Sequence, residues 1–136
     1  QPVYGSILHC SLYGVEHTGI YVDNNQIVEL LGNGEIKLST PKEFVQGTNA
    51  MSIYIACNKK RVLSYQPAAD RAINMIGKTR KYHLLNDNCH QFTSGCILNE
   101  FENDYNYFYT LESLISEKLN FNKPINWRVW NNKPRG

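Results

Sequence analysis

Between His17 and Leu38 the chain alternates runs of β-formers with turn residues, and this rhythm limits the fold more than any other feature. His17-Thr18-Gly19-Ile20-Tyr21-Val22 leads into the turn Asp23-Asn24-Asn25, and Gln26-Ile27-Val28-Glu29-Leu30 returns. Gly32-Asn33-Gly34 turns again into Glu35-Ile36-Lys37-Leu38. Links this short join antiparallel neighbours, because a parallel pair needs a crossover of about a dozen residues or more. Val3 to Cys10, centred on Ile7 and Leu8, reads as a preceding strand, with a loop from Ser11 to Val15. The expectation is an antiparallel meander.

Helices are expected to cover it. Thr40-Pro41-Lys42-Glu43 carries an N-cap, a proline at N1 and the acid of a capping box, with Gly47 as the stop. Ser52 to Cys57 alternates like a strand. Pro67 to Ile76 has Ala69, Ile73 and Ile76 at helical spacing, and Gly77 ends it. Leu111 to about Leu119 reads as a last helix capped by Thr110. The arm from Asn120 to Gly136 holds both tryptophans, Trp127 and Trp130, in an edge strand or a docked segment. The fold class is therefore α+β, an antiparallel sheet packed against helices. Its 136 residues are expected to form a single domain, 1–136. Because the chain begins with Gln1 rather than Met, it reads as a processed or trimmed chain, or as a piece of a larger protein.

Chemistry concentrates after Tyr82. The extended segment Tyr82-His83-Leu84-Leu85 meets Asn86-Asp87-Asn88, residues that favour turns and N-caps, and Cys89 follows where a helix should start. A thiol there faces unpaired N–H groups and the positive end of the helix dipole, both of which favour the thiolate. The other three cysteines, Cys10, Cys57 and Cys96, look like core residues, and no pair has zinc-ligand spacing, so no metal or other cofactor is expected. Reduced thiols point to a cytoplasmic setting, or to delivery into a target cell's cytosol.

A nucleophilic thiol needs a base and a group that orients the base. His90 follows Cys89 directly, so its side chain should point roughly 100° away around the helix axis and is set aside as the base. His9 falls in the first strand and His83 in the extended approach. His17 differs, because its hairpin partner strand carries Glu29 close to the same level. A carboxylate against an imidazole fixes the tautomer and stabilises the imidazolium. Glu29 also stands in Ile27-Val28-Glu29-Leu30-Leu31, an apolar setting for an acid unless it is paired. The candidate set is Cys89, His17 and Glu29.

Two blocks carry a resemblance. His17-Thr18-Gly19-Ile20-Tyr21-Val22, continuing to Leu30, and Tyr82 to Phe92 with Asn88-Cys89-His90-Gln91-Phe92, are similar to paired blocks of the lecithin retinol acyltransferase family. That family is the circularly permuted branch of the NlpC-type papain-like hydrolases, and the likeness runs from about Ser6 to Leu98. It implies a permuted papain-like fold with a histidine block at 17–30 and a cysteine block at 82–98. It implies Cys89 as the nucleophile that holds an acyl group as a thioester, and His17 as the base. It also implies Tyr82 as an oxyanion donor beside the Cys89 N–H. Glu29 replaces a second histidine of better-known animal members, and His90-Gln91 replaces their Glu-His.

The resulting expectation is a cysteine-dependent acyl hydrolase or acyltransferase acting on a lipid ester or an amide or peptide. One alternative is the C-terminal toxin or effector domain of a larger secreted bacterial protein, with a cognate immunity protein as partner. Its target could be RNA, given Lys59-Lys60-Arg61 and Lys78-Thr79-Arg80-Lys81. A net charge of +2 argues against nucleic acid as a general partner. The other alternative is a non-catalytic binding module using Tyr105, Tyr107, Tyr109, Trp127 and Trp130. No apolar run is long enough for a membrane span.

Overall fold

A computed structural model describes residues 1–12, 15–45, 52–81 and 88–131. The strands are β1 (Ile7–Leu12), β2 (Val15–Asp23), β3 (Gln26–Leu30), β4 (Ile36–Ser39), β5 (Ile53–Asn58), β6 (Arg61–Val62) and β7 (Asn126–Trp130). The helices among the described residues are α1 (Pro41–Phe44), α2 (Gln66–Met75), α3 (Cys89–Leu98) and α4 (Phe108–Leu119). The strands make one antiparallel sheet in the order β4-β3-β2-β1-β5-β6, with β7 paired to β5. The expected α+β class and meander are therefore observed. The last apolar stretch is a strand, with Ile53 opposite Trp130 and Cys57 opposite Asn126.

Both faces of the sheet carry buried residues. Neighbouring residues divide between the faces, as a period of two requires. Ile7, Ile20 and Val28 join Ala68, Ala69, Phe92, Cys96 and Leu111 in the core against the helices. Leu8, Tyr21 and Ile27 pack on the opposite face with Cys10, Phe44, Ile55 and Trp130.

The structure corrects several boundaries. The first strand begins at Ile7 rather than Val3, because Ser6 N–H turns back to the Val3 carbonyl and Gly5 takes a φ of +92°. A Cβ at Gly5 would lie 2.4 Å from the Tyr65 carbonyl oxygen, so this turn also needs glycine for space. The expected loop at Ser11–Val15 is shorter, since β1 extends to Leu12 and pairs with β2 from Val15. In α2 the buried stripe is Ala68, Ala69 and Ala72, while Ile73 and Ile76 are 41% and 37% exposed. Helix α4 is capped at Tyr107, whose N–H donates to Thr110 Oγ1, so Thr110 is the N3 partner and not the cap. The capping box at Thr40 and Glu43 forms as expected. Gly47, Tyr82 and His83 lie outside the described residues.

The aromatic residues divide in the same uneven way. Trp130 is buried, and Trp127 is part-buried with its indole N–H donating to Glu112 at 2.8 Å, while Tyr107 and Tyr109 are exposed. The tryptophans are thus committed to the fold, leaving the two tyrosines as the open part of the expected binding surface. Among the described residues, no helix is long and apolar enough to cross a membrane.

Candidate active site

Helix α3 is buried on every side from Cys89 to Ile97, so its polar groups need partners inside the protein. Asn88 provides them at the N-terminus. Its Oδ1 accepts from His90 N–H at 3.0 Å and Gln91 N–H at 3.1 Å, and its Nδ2 donates to the Asn106 carbonyl at 2.8 Å. Gln91 Nε2 donates to the Asn103 carbonyl and Ser94 Oγ to the Tyr105 carbonyl. At the far end Arg71 Nη1 donates to the Cys96 and Ile97 carbonyls, and Asn99 closes the helix in the left-handed region. Replacing Asn88 with alanine is expected to cost about 1 kcal/mol from the cap alone. That should lower the melting temperature by about 3–5 °C, measured by thermal circular dichroism.

Consecutive residues of β2 approach the start of this helix from different sides. Thr18, on the helix-covered face, holds its hydroxyl 3.5 Å from the Cys89 carbonyl and 3.1 Å from Thr93 Oγ1. His17 is 9% exposed and lies against the Phe44 ring, centroids 4.8 Å apart. Its Nε2 meets Glu29 Oε1 at 2.8 Å. The register pairs Ile20 with Val28, so Glu29 comes level with Gly19 and reaches His17 as a same-face diagonal neighbour. Gly19 keeps this space open. A Cβ there would lie 2.9 Å from Phe44 Cε1 and from the Val28 carbonyl oxygen.

The remaining face of His17 belongs to the thiol. Nε2 is taken by Glu29 at 2.8 Å, so Nδ1 is the nitrogen left for sulfur. Burial alone would push His17 down, but the influence of Cys89 and Glu29 outweighs it and raises its pKa above the usual imidazole value. Burial alone would likewise push Cys89 up. Hydrogen bonds from His17 and His90 outweigh that effect and hold the thiol well below its ordinary value. The other cysteines show the contrast. Burial pushes Cys10 up to about 12 and also raises Cys57 and Cys96. None of the four is in a disulfide.

Three of the four residues singled out from the sequence, Cys89, His17 and Glu29, are therefore brought together. Tyr82 lies outside the described residues. The expectation for His90 is corrected, because its Nδ1 lies 3.8 Å from Cys89 Sγ. A rotation of about 100° between successive helix positions separates the Cβ directions, but a strand residue that engages the His90 ring can still hold its tip near the sulfur. Thr18 is that residue, with Oγ1 3.1 Å from His90 Nδ1. Thr18 was not singled out from the sequence, where it reads as an ordinary β-former.

Among the described residues, no cluster of His, Cys, Asp or Glu could hold a metal ion. The basic runs are surface features, and Arg80 is engaged with the Phe101 ring and carbonyl. Residues 1–102 match the family model described as Lecithin retinol acyltransferase. No curated protein matches the chain.

Proposed function

The chain belongs to the lecithin retinol acyltransferase family, and from that premise we propose that it is a thiol acyl hydrolase or acyltransferase with Cys89 as nucleophile. His17 Nδ1 takes the Cys89 proton, and the thiolate attacks the carbonyl of an acyl-bearing substrate. Glu29 holds the His17 ring by Nε2 and balances the imidazolium. The Asn88 cap engages the N–H groups of His90 and Gln91 and leaves that of Cys89 for the developing oxyanion. Tyr82 joins it as a donor on the family likeness. The imidazolium then protonates the leaving group, and a thioester remains on Cys89. Water or a second nucleophile, deprotonated by His17, resolves it into acid or transferred acyl product. The histidine strand precedes the cysteine helix, the reverse of unpermuted papain-like enzymes, and we read this as a permuted papain-like domain spanning 1–136.

One observation carries the reading: of four buried thiols, Cys89 alone is held low, and it is the one that meets an imidazole backed by a carboxylate. The experiment is alkylation by iodoacetamide against pH, paired with intact mass after incubation with p-nitrophenyl octanoate. A free thiol with a pKa of about 8.5 would react close to a hundredfold more slowly at pH 6 than at pH 8. Cys89 should instead react at rates within about twofold at the two values, because its thiolate persists below the ordinary range. Acyl transfer should fall on the acid side as Cys89 takes a proton. It should fall again on the alkaline side as His17 loses the proton it gives to the leaving group. An octanoyl adduct on Cys89 supports the reading; a conventional alkylation profile with no adduct overturns it.

A further inference from the structure

Among the described residues, two imidazoles act on the Cys89 thiol. His17 comes from β2, and His90 brings Nδ1 to 3.8 Å from Sγ. The His90 ring is fixed in place. It is 6% exposed, its Nδ1 is 3.1 Å from Thr18 Oγ1, and its ring centroid lies 5.8 Å from that of Phe108. The Thr18 hydroxyl has one proton and two lone pairs, with Thr93 Oγ1 at 3.1 Å and the Cys89 carbonyl at 3.5 Å as further partners. It can therefore accept from His90 Nδ1–H while donating to either of them. That arrangement keeps a proton on Nδ1, where the one N–H is shared between Thr18 Oγ1 at 3.1 Å and Cys89 Sγ at 3.8 Å as a three-centre bond.

Charge gives this contact a purpose. When the Cys89 proton moves to His17, the buried set holds a thiolate, an imidazolium and the Glu29 carboxylate, which sum to one negative charge. Glu29 Oε2 is itself buried without a hydrogen-bond partner among the described residues. Negative charge in such a site needs every available donor. We propose that His90 is a second partner of the Cys89 thiolate, positioned by Thr18, and that it keeps the nucleophile ionised on the acid side of neutrality. The proposal rests on the reading of Cys89 as nucleophile. His90 transfers no proton in it: the Cys89 proton goes to His17, and the His90 N–H stays on nitrogen.

The groups facing His90 are consistent with this role. From α3 it meets Cys89, and across the thiol stand His17 of β2 and Glu29 of β3. From α4 it meets the uncharged Phe108. From β1 it faces His9, whose burial among Tyr54, Phe108 and Trp127 drives it down to about 4, so His9 is largely neutral above about pH 5.

The test is iodoacetamide alkylation of the full chain from pH 4 to 9, for the parent, His90→Gln and Thr18→Val. In His90→Gln the acid limb should move up by about one pH unit, a roughly tenfold loss of thiolate at acidic pH, with the fold retained by circular dichroism. Thr18→Val should move it the same way by about half as much, since the imidazole stays while its positioning is lost. A folded His90→Gln with the parent's acid limb overturns the proposal. If His90→Gln does not fold, an unmoved limb in Thr18→Val does so. The two readings fail differently. A parent with no reactive thiolate sinks the nucleophile assignment, whereas a parent plateau shared unchanged by His90→Gln sinks the role of His90 alone.

Discussion

Cys89→Ala is expected to lower kcat/KM for p-nitrophenyl octanoate by about 10⁴-fold or more while leaving the melting temperature within a few degrees of the parent. The loss is large because the thiol is the group that forms the covalent bond. Its removal leaves only binding and the oxyanion donors to speed attack by water. The fold should survive, since the helix start is held by Asn88 and Thr18 rather than by the sulfur. Removing a buried thiolate also relieves the desolvation that works against Cys89 ionisation. Steady-state kinetics with a thermal melt read both quantities. A Cys89→Ala protein with more than about one-hundredth of parental activity would place the nucleophile elsewhere.

Glu29 comes next, and two substitutions separate its duties. Glu29→Gln keeps a carbonyl that can accept the His17 Nε2–H, so the ring stays oriented but the imidazolium loses its counter-charge. A drop in kcat of about tenfold is expected, close to the cost of one pKa unit on the base. Glu29→Leu removes both charge and acceptor and leaves Nε2–H buried without a partner. Here kcat should fall by about 10³-fold, within the range attributed to a positioned acid–base group. The ratio of the two kcat values isolates orientation from charge. Equal losses in both would mean that the 2.8 Å contact with His17 contributes charge alone.

Much of this architecture is legible in local chemistry. The turn residues between Val22 and Gln26, and again around Asn33, specify the meander because their backbones accept the positive φ that tight turns require. Thr40, Pro41 and Glu43 specify a helix start for similarly local reasons. The His17–Glu29 pairing follows from counting along a hairpin. The exposed Ile73 and Ile76 show where such reading stops. Their spacing is helical, but Ile76 falls just past the end of α2 and Ala68, Ala69 and Ala72 take the buried stripe. His90 is a different kind of miss. Its place beside the sulfur depends on Thr18, seventy-two residues away in the chain, and no spacing rule within a helix carries that information.

The Arg71 clamp on the end of α3 gives α2 a share in aiming the nucleophile. A helix advances about 1.5 Å per residue along its axis, and hydrogen bonds to sulfur weaken over a few tenths of that distance. With Asn88 and Thr18 gripping one end and Arg71 the carbonyls of Cys96 and Ile97 at the other, α3 behaves as a shaft seated in two bearings. Through those two carbonyls α2 helps to seat α3, and with it the thiol, from a point two turns away from Cys89.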